Sequence, residues 1–166
     1  RMGGLYVFQR HGGDWQQQQR LSSRCRSVAG SDRWAAMQDR GKVVVFANAD
    51  GVWHRHQELY PHNHLLREDQ RKLSGYFGEA LAFDGDTLFV GDPYYYSGGE
   101  VTLFTLVGDQ WTEAERLSGP PSSVHFGKSL VAGAGRLIVG SDEKDPKKNP
   151  FDLGGQALVY HKAANS

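Results

Sequence analysis

The densest recognition chemistry in the sequence is the run DPYYYSGG at residues 92–99. Three consecutive tyrosines, Tyr94, Tyr95 and Tyr96, follow Asp92. Tyrosine offers a large rigid ring with a polar tip and is favoured where one surface recognises another. A second stretch, SDEKDPKKNPFDLGG at 141–155, sets Asp142, Asp145 and Asp152 beside Lys144, Lys147 and Lys148. Mixed charge of this kind reads as a solvated loop rather than a cage of hard oxygen ligands. Both segments look like loops, where binding residues concentrate. The expected binding surface is Asp92, Tyr94, Tyr95, Tyr96, Asp142, Asp145 and Asp152.

Metal and nucleophile chemistry is sparser. His54, His56, His62 and His64 cluster in the sequence. Strand alternation puts His54 and His56 on one face, a spacing that suits Zn²⁺ or Cu²⁺. No cysteine or well-placed carboxylate completes the set, so they read as weak candidates on an exposed strand and a polar loop. Asp84 and Asp86, in AFDGDTL, put hard oxygens at alternate positions as Ca²⁺ loops do, but the turn is too tight for more ligands. No metal or cofactor is expected. Cys25 is the single cysteine, so no intrachain disulfide forms; Arg24 and Arg26 beside it are cations that lower a thiol pKa. The sequence has no Gly-x-Ser-x-Gly elbow, no P-loop and no His-Glu-x-x-His. GGDW and GGE read as hairpin punctuation. No catalytic residue is expected.

The elements that hold these residues repeat. GGLYVFQRHGGDWQQQQRL, RGKVVVFANADGVWHRHQEL and GGEVTLFTLVGDQWTEAERL share one phrase, and GGQALVYHKAANS begins it again. Each phrase is an apolar strand, a Gly-containing turn, a Trp (Trp15, Trp53 or Trp111) and a Leu six residues on (Leu21, Leu59 or Leu117), which is a β-hairpin. The apolar strands LYVF, VVVF, VTLF and ALVY suit positions covered on both faces. In WTEAERL, period-two alternation puts Trp111, Glu113, Glu115 and Leu117 on one face of an outer strand. Two more strands precede each late hairpin, in YFGEALAFDGDTLFVGDP (76–93) and HFGKSLVAGAGRLIVGSD (125–142). Four antiparallel strands per repeat, with Phe77 and Phe126 spaced 49 residues apart, predict an all-β chain of propeller blades.

The openings Phe77-Gly78 and Phe126-Gly127, followed by VGDP or VGSD and then by the Gly-to-Trp hairpin, resemble the FG-GAP repeat, the blade unit of integrin α-chain propellers. The resemblance covers most of residues 3–162. It implies a small or partial β-propeller of about three to four four-stranded blades. The units are about 3–21, 22–59, 60–117 and 118–166. Asp92 and Ser141 stand where the family's pattern has Ala, and the second unit has no Phe-Gly. Its early strands fall in RSVAGSDRWAAM (26–37), which fits poorly, so either this blade is abbreviated or residues are absent between Leu21 and Gly41. Residues 60–73 have room for a short helix on the rim.

Such a count leaves the ring open, so the chain is expected to meet other protein subunits or further blades of the same propeller. A chain opening on Arg1 reads as a processed form or an excised piece. Nineteen Lys plus Arg balance nineteen Asp plus Glu, which gives no basic footprint for nucleic acid, and no apolar run suits a membrane-spanning helix. The residues therefore point first to a non-enzymatic interaction or scaffold module, an accessory subunit of a larger assembly. The alternative is an adhesion-type propeller that recognises an extracellular ligand or carbohydrate. A propeller enzyme ranks third. The compartment is open.

Overall fold

The computed structural model describes residues 4–22, 24–62, 76–96, 98–144 and 153–161. These residues form thirteen strands and no helix. The strands are β1 (Leu5–His11), β2 (Asp14–Ser22), β3 (Val28–Gly30), β4 (Trp34–Asp39), β5 (Lys42–Ala49), β6 (Val52–Leu59), β7 (Ala80–Asp84), β8 (Thr87–Asp92), β9 (Glu100–Val107), β10 (Gln110–Ser118), β11 (Ser123–Gly133), β12 (Arg136–Lys144) and β13 (Leu153–His161). They make four antiparallel sheets in chain order: β1–β2, β3–β6, β7–β10 and β11–β13. The turns fit tight hairpins. Arg40–Gly41 (φ 52° and 80°) and Ala134–Gly135 (φ 51° and 72°) both adopt left-handed pairs, the backbone that matches strand twist in a two-residue turn.

Successive sheets pack face to face through three apolar layers. Leu5 meets Ala35, Met37, Val44 and Phe46 between the first and second sheets. Ala36, Val43, Val45 and Leu59 meet Phe77, Leu88, Val90, Phe104 and Trp111 between the second and third. Ala82, Phe89 and Val101 meet Phe126, Leu137 and Val139 between the third and fourth. The Phe-Gly pairs are spacers of these layers. Phe77 and Phe126 are fully buried. Gly78 and Gly127 share a left-handed φ of 87° and 88°. A Cβ on Gly91 would lie 2.1 Å from the Gly127 carbonyl oxygen, so only two glycines let the third and fourth sheets approach this closely.

Each hairpin's outer strand carries a β-bulge three residues after its Trp, at Gln18, His56 and Ala114. A bulge adds one residue and breaks the period-two alternation. This corrects the expected common face of Trp111 and Leu117: Trp111 packs back toward the second sheet and Leu117 forward toward the fourth. The residue after the bulge then bridges sheets. The Gln19 side chain donates to the Trp53 carbonyl (2.8 Å) and accepts from the Trp53 N–H (3.0 Å). Gln57 does the same at Trp111, at 2.9 and 2.8 Å. A side-chain amide carries one acceptor and two donors, so it satisfies both groups of an edge peptide at once.

The second unit keeps a full set of four strands, with β3 reduced to three residues. Of residues 60–73, only 60–62 are described, as coil and turn; the remainder lies outside the described residues.

Candidate functional site

The loop between β8 and β9 carries the tyrosines. It is held by three backbone bonds: Tyr95 N–H to Asp92 carbonyl (3.1 Å), Gly99 N–H to Tyr95 carbonyl (3.0 Å) and Phe126 N–H to Gly98 carbonyl (2.8 Å). The last bond ties the loop to the fourth sheet. Beside it lies an open cleft of about 200 Å³ lined by Tyr95, Tyr96, Gly98, Gly99 and Glu100 from the loop and β9, and by Ser118, Gly119, Pro120 and Ser123 from β10 and the segment leading into β11. Ser123 is anchored by the Gln156 amide at 2.7 Å, which also reaches Ser141 at 3.0 Å.

Glu100 is the chemically distinctive group of this cleft. It pairs with Asp92 in the β8–β9 register, and both residues are buried. Burial pushes the Glu100 carboxyl above its ordinary value. The Arg116 guanidinium, 3.9 Å away, pulls it back, and the negative charges of Asp92 and Glu113 raise it further. Tyr95 keeps its phenolic proton more tightly for related reasons, burial first and the Glu100 charge second. Tyr96 is 78% exposed and packs edge-on against Tyr95, with ring centroids 4.6 Å apart. The cleft thus combines tyrosine side chains with a raised carboxyl, and a cation lies behind that carboxyl at Arg116.

Tyr94 goes elsewhere. It lies between Tyr76 (4.3 Å) and His125 (4.8 Å), and Arg26 covers Tyr76 at 5.3 Å. His125 has a positive φ of 57° where β11 arches away from β12. That arch lets His125 Nδ1 and Lys128 Nζ both reach Asp142 Oδ2, at 2.7 and 3.1 Å. The His125 hydrogen bond, and after it Lys128, hold the Asp142 carboxyl below its usual range. So the sequence-predicted surface divides: Tyr95 and Tyr96 line the cleft, Asp92 is buried beside Glu100, and Tyr94 and Asp142 meet through His125. Asp145 and Asp152 lie outside the described residues.

The remaining candidates find other work. His56 is half-buried against the Trp34 indole (4.9 Å), with Nε2 3.0 Å from the Asp109 carbonyl, and His54 is exposed. The bulge at His56 undoes the alternation on which their pairing rested. His62 is exposed, and His64 lies outside the described residues. Among the described residues no three His, Cys, Asp or Glu side chains converge as metal ligands. Asp84 Oδ2 accepts from the Gly135 N–H at 2.8 Å, fastening one sheet's turn to the next; Asp86 is exposed in its turn. The expected lowering at Cys25 is corrected: burial pushes its thiol up, while Arg26 is drawn away to Tyr76 and to Glu79 at 3.6 Å. Glu100, Arg116 and His125 were not legible as site residues. The triplet Gly98-Gly99-Glu100 has the form of a turn, and only the cross-strand neighbour Asp92 and the cleft distinguish its carboxylate.

No protein-family model matches the chain, and no curated protein matches it. Among solved structures, it is similar to a protein of Bacteroides uniformis named a "putative 6-phosphogluconolactonase", with a TM-score of 0.58 and 11% sequence identity. The match covers 95% of this chain and 49% of that one, so the chain spans about half the length of that protein. At this identity the likeness is one of fold. That neighbour bears an enzyme's name, and this overturns the expectation of a non-enzymatic interaction module and, with it, the adhesion-type alternative. The expectation rested on missing catalytic motifs. Among the described residues no helix is long and apolar enough to cross a membrane.

Proposed function

We propose that the chain is the site-bearing part of a β-propeller enzyme that hydrolyses the cyclic ester of a sugar acid, with the chemistry at the Glu100 cleft. The observation that carries the reading is Glu100 itself, a buried carboxyl raised above its ordinary value that lines a cleft with Tyr95 and Tyr96. Acids in clefts whose pKa is shifted by burial and a specific charge partner are candidates for catalytic groups. The substrate class is suggested by the name of the Bacteroides neighbour. The propeller and the FG-GAP resemblance belong to the same proposal. They are supported by four sheets stacked in chain order and by Phe77-Gly78 and Phe126-Gly127 occupying matching places between them.

Lactone hydrolysis adds one water across a ring ester. A base takes a proton from water as the water oxygen bonds to the carbonyl carbon. The ring carbon–oxygen bond then breaks, and the leaving oxygen takes the proton back. Glu100 can serve both steps, because a carboxyl raised above its ordinary value is a stronger base as its anion and can return the proton it takes. Arg116 offers a cation for negative charge that develops on the substrate's acyl oxygen. Tyr95 and Tyr96 offer flat faces to the carbon–hydrogen side of a sugar ring.

Acid release from sugar δ-lactones, followed at constant pH against the spontaneous rate, tests the proposal. The chain should exceed the buffer rate, and Glu100→Gln should reduce the enzymatic part by about 10²- to 10⁴-fold, the range typical of general acid–base catalysis. A folded wild type no faster than buffer, or a Glu100→Gln variant equal to wild type, contradicts it.

A further inference from the structure

Two buried serines share one side-chain amide, and only one of them is fully used. Ser123 opens β11 and Ser141 lies on β12; each is 5% exposed. Gln156, on β13, stands directly across from Ser141. Its Nε2 lies 2.7 Å from Ser123 Oγ and 3.0 Å from Ser141 Oγ. The two hydroxyls then differ. Ser141 gives its hydrogen to the Asp142 carbonyl at 3.1 Å. Its oxygen can therefore only accept from Gln156, which sets the amide nitrogen, not the amide oxygen, toward both serines. That nitrogen carries two hydrogens, one for each serine. Ser123 Oγ is thus an acceptor for the amide, and its own hydrogen is left to point elsewhere. Among the described residues that hydrogen meets no acceptor.

Ser123 also lines the cleft that holds Glu100. A tight turn sets it there, with the Ser123 N–H donating to the Pro120 carbonyl at 2.8 Å. Gly119, another residue of the cleft, leaves room beside the hydroxyl: a Cβ on it would lie 2.8 Å from Ser123 Oγ and 2.8 Å from the Phe126 ring. Gly119 is not among the glycines of left-handed φ, so close approach rather than backbone conformation asks for a glycine here.

We infer that the Ser123 hydroxyl donates to a ring hydroxyl oxygen of a polyhydroxylated ligand in this cleft, and that Gln156 positions it by filling its lone pair. The inference rests on the sugar-acid reading of the cleft and names a selecting contact within it. A site that presents a buried donor favours a ligand with an oxygen to meet it. It rejects one without, because the donor is then buried unpaired. Ser123 and Glu100 so divide the work between choosing the ring and acting on its ester.

Calorimetric binding of two δ-lactams at neutral pH tests this, since an amide ring resists the hydrolysis that a lactone undergoes. One carries sugar-type ring hydroxyls; the other, δ-valerolactam, carries none. Wild type should prefer the hydroxylated ring by about tenfold, and Ser123→Ala should lose that preference while binding the bare ring within about twofold of wild type, the scale of one buried hydrogen bond. Gln156→Glu is the sharper variant. Its carboxylate can only accept, so Ser123 turns its hydrogen toward it. Ser123 is then still present, yet the preference should fall as in Ser123→Ala. Circular dichroism and melting temperature establish that each variant folds. A variant that keeps the wild-type preference overturns the inference, as does a wild type that binds both rings alike or binds neither. Because the readout is binding, a failure to hydrolyse lactones strikes the Glu100 reading and leaves this contact standing.

Discussion

The layers between sheets and the cleft at the sheet ends obey different rules. The layers repeat: Phe77 and Phe126 occupy matching places, and Gln19 and Gln57 make matching bonds to the main chain of the next Trp. The cleft does not repeat. The second unit joins β4 to β5 with a two-residue turn at Arg40–Gly41, where the third inserts the tyrosine loop between β8 and β9. The comparison teaches that the stack is set by shapes each unit must share, and the site by one unit's departure from them.

The sharpest way to break that division is to remove one ring from each region. Phe126→Ala empties a fully buried place between the third and fourth sheets and should cost about 3–5 kcal/mol in denaturant unfolding. Tyr96→Ala removes a ring that is mostly in water and should stay within about 0.5 kcal/mol of wild type. Equal losses at the two positions would erase the distinction. Next in size is the amide latch. Gln57→Leu strips the Trp111 N–H and carbonyl of their partners and should cost about 2 kcal/mol. Gln57→Glu keeps the acceptor and loses the donor, so it should fall between Leu and wild type in the same measurement.

Much of the layered half is readable in the sequence, because it rests on turn glycines and β-branched runs that recur with fixed spacing. The bulges at Gln18, His56 and Ala114 are not. A bulge is a relation between two strands, and it reversed the inferred faces of Trp111 and Leu117 and separated His54 from His56. The short β3 was obscured because three residues, Val28–Gly30, carry too little pattern to count as a strand. For the site, the tyrosines and Asp92 stood out by type alone. Glu100 did not, since its character comes from burial beside Asp92 and Arg116 rather than from its neighbours in sequence. His125 was likewise hidden, because its partner Asp142 lies on another strand.

Smaller effects separate the Glu100 and Asp142 carboxylates by sign. Glu100 is raised above its ordinary 4.5, so the fold favours its protonated form. Its contribution to stability is full below that value and is lost as pH rises through the raised one. Glu100→Gln cannot ionise, so it should be more stable than wild type near neutral pH, with the gap closing in acid. Asp142 is lowered from 3.8, so the fold favours its ionised form. Its contribution is present above that value and is lost as pH falls through the lowered one. Asp142→Asn should therefore destabilise by about 1 kcal/mol at neutral pH, the scale of a charge-assisted hydrogen bond at a partly exposed site, and by less in acid. Melting temperatures across pH read both, and shifts of the same sign would contradict the opposite environments described here.

The central claim is that the Glu100 carboxyl, raised by its burial in the cleft, is the base that opens a sugar lactone. The most direct measurement is the pH dependence of kcat/KM for lactone hydrolysis by the wild-type chain, beside Arg116→Gln. The account predicts an acid limb whose midpoint lies above the ordinary 4.5 of a glutamate. The midpoint should move higher still in Arg116→Gln, where the cation that opposes the rise is gone. A midpoint at or below 4.5, or one that does not move when Arg116 is replaced, would contradict it.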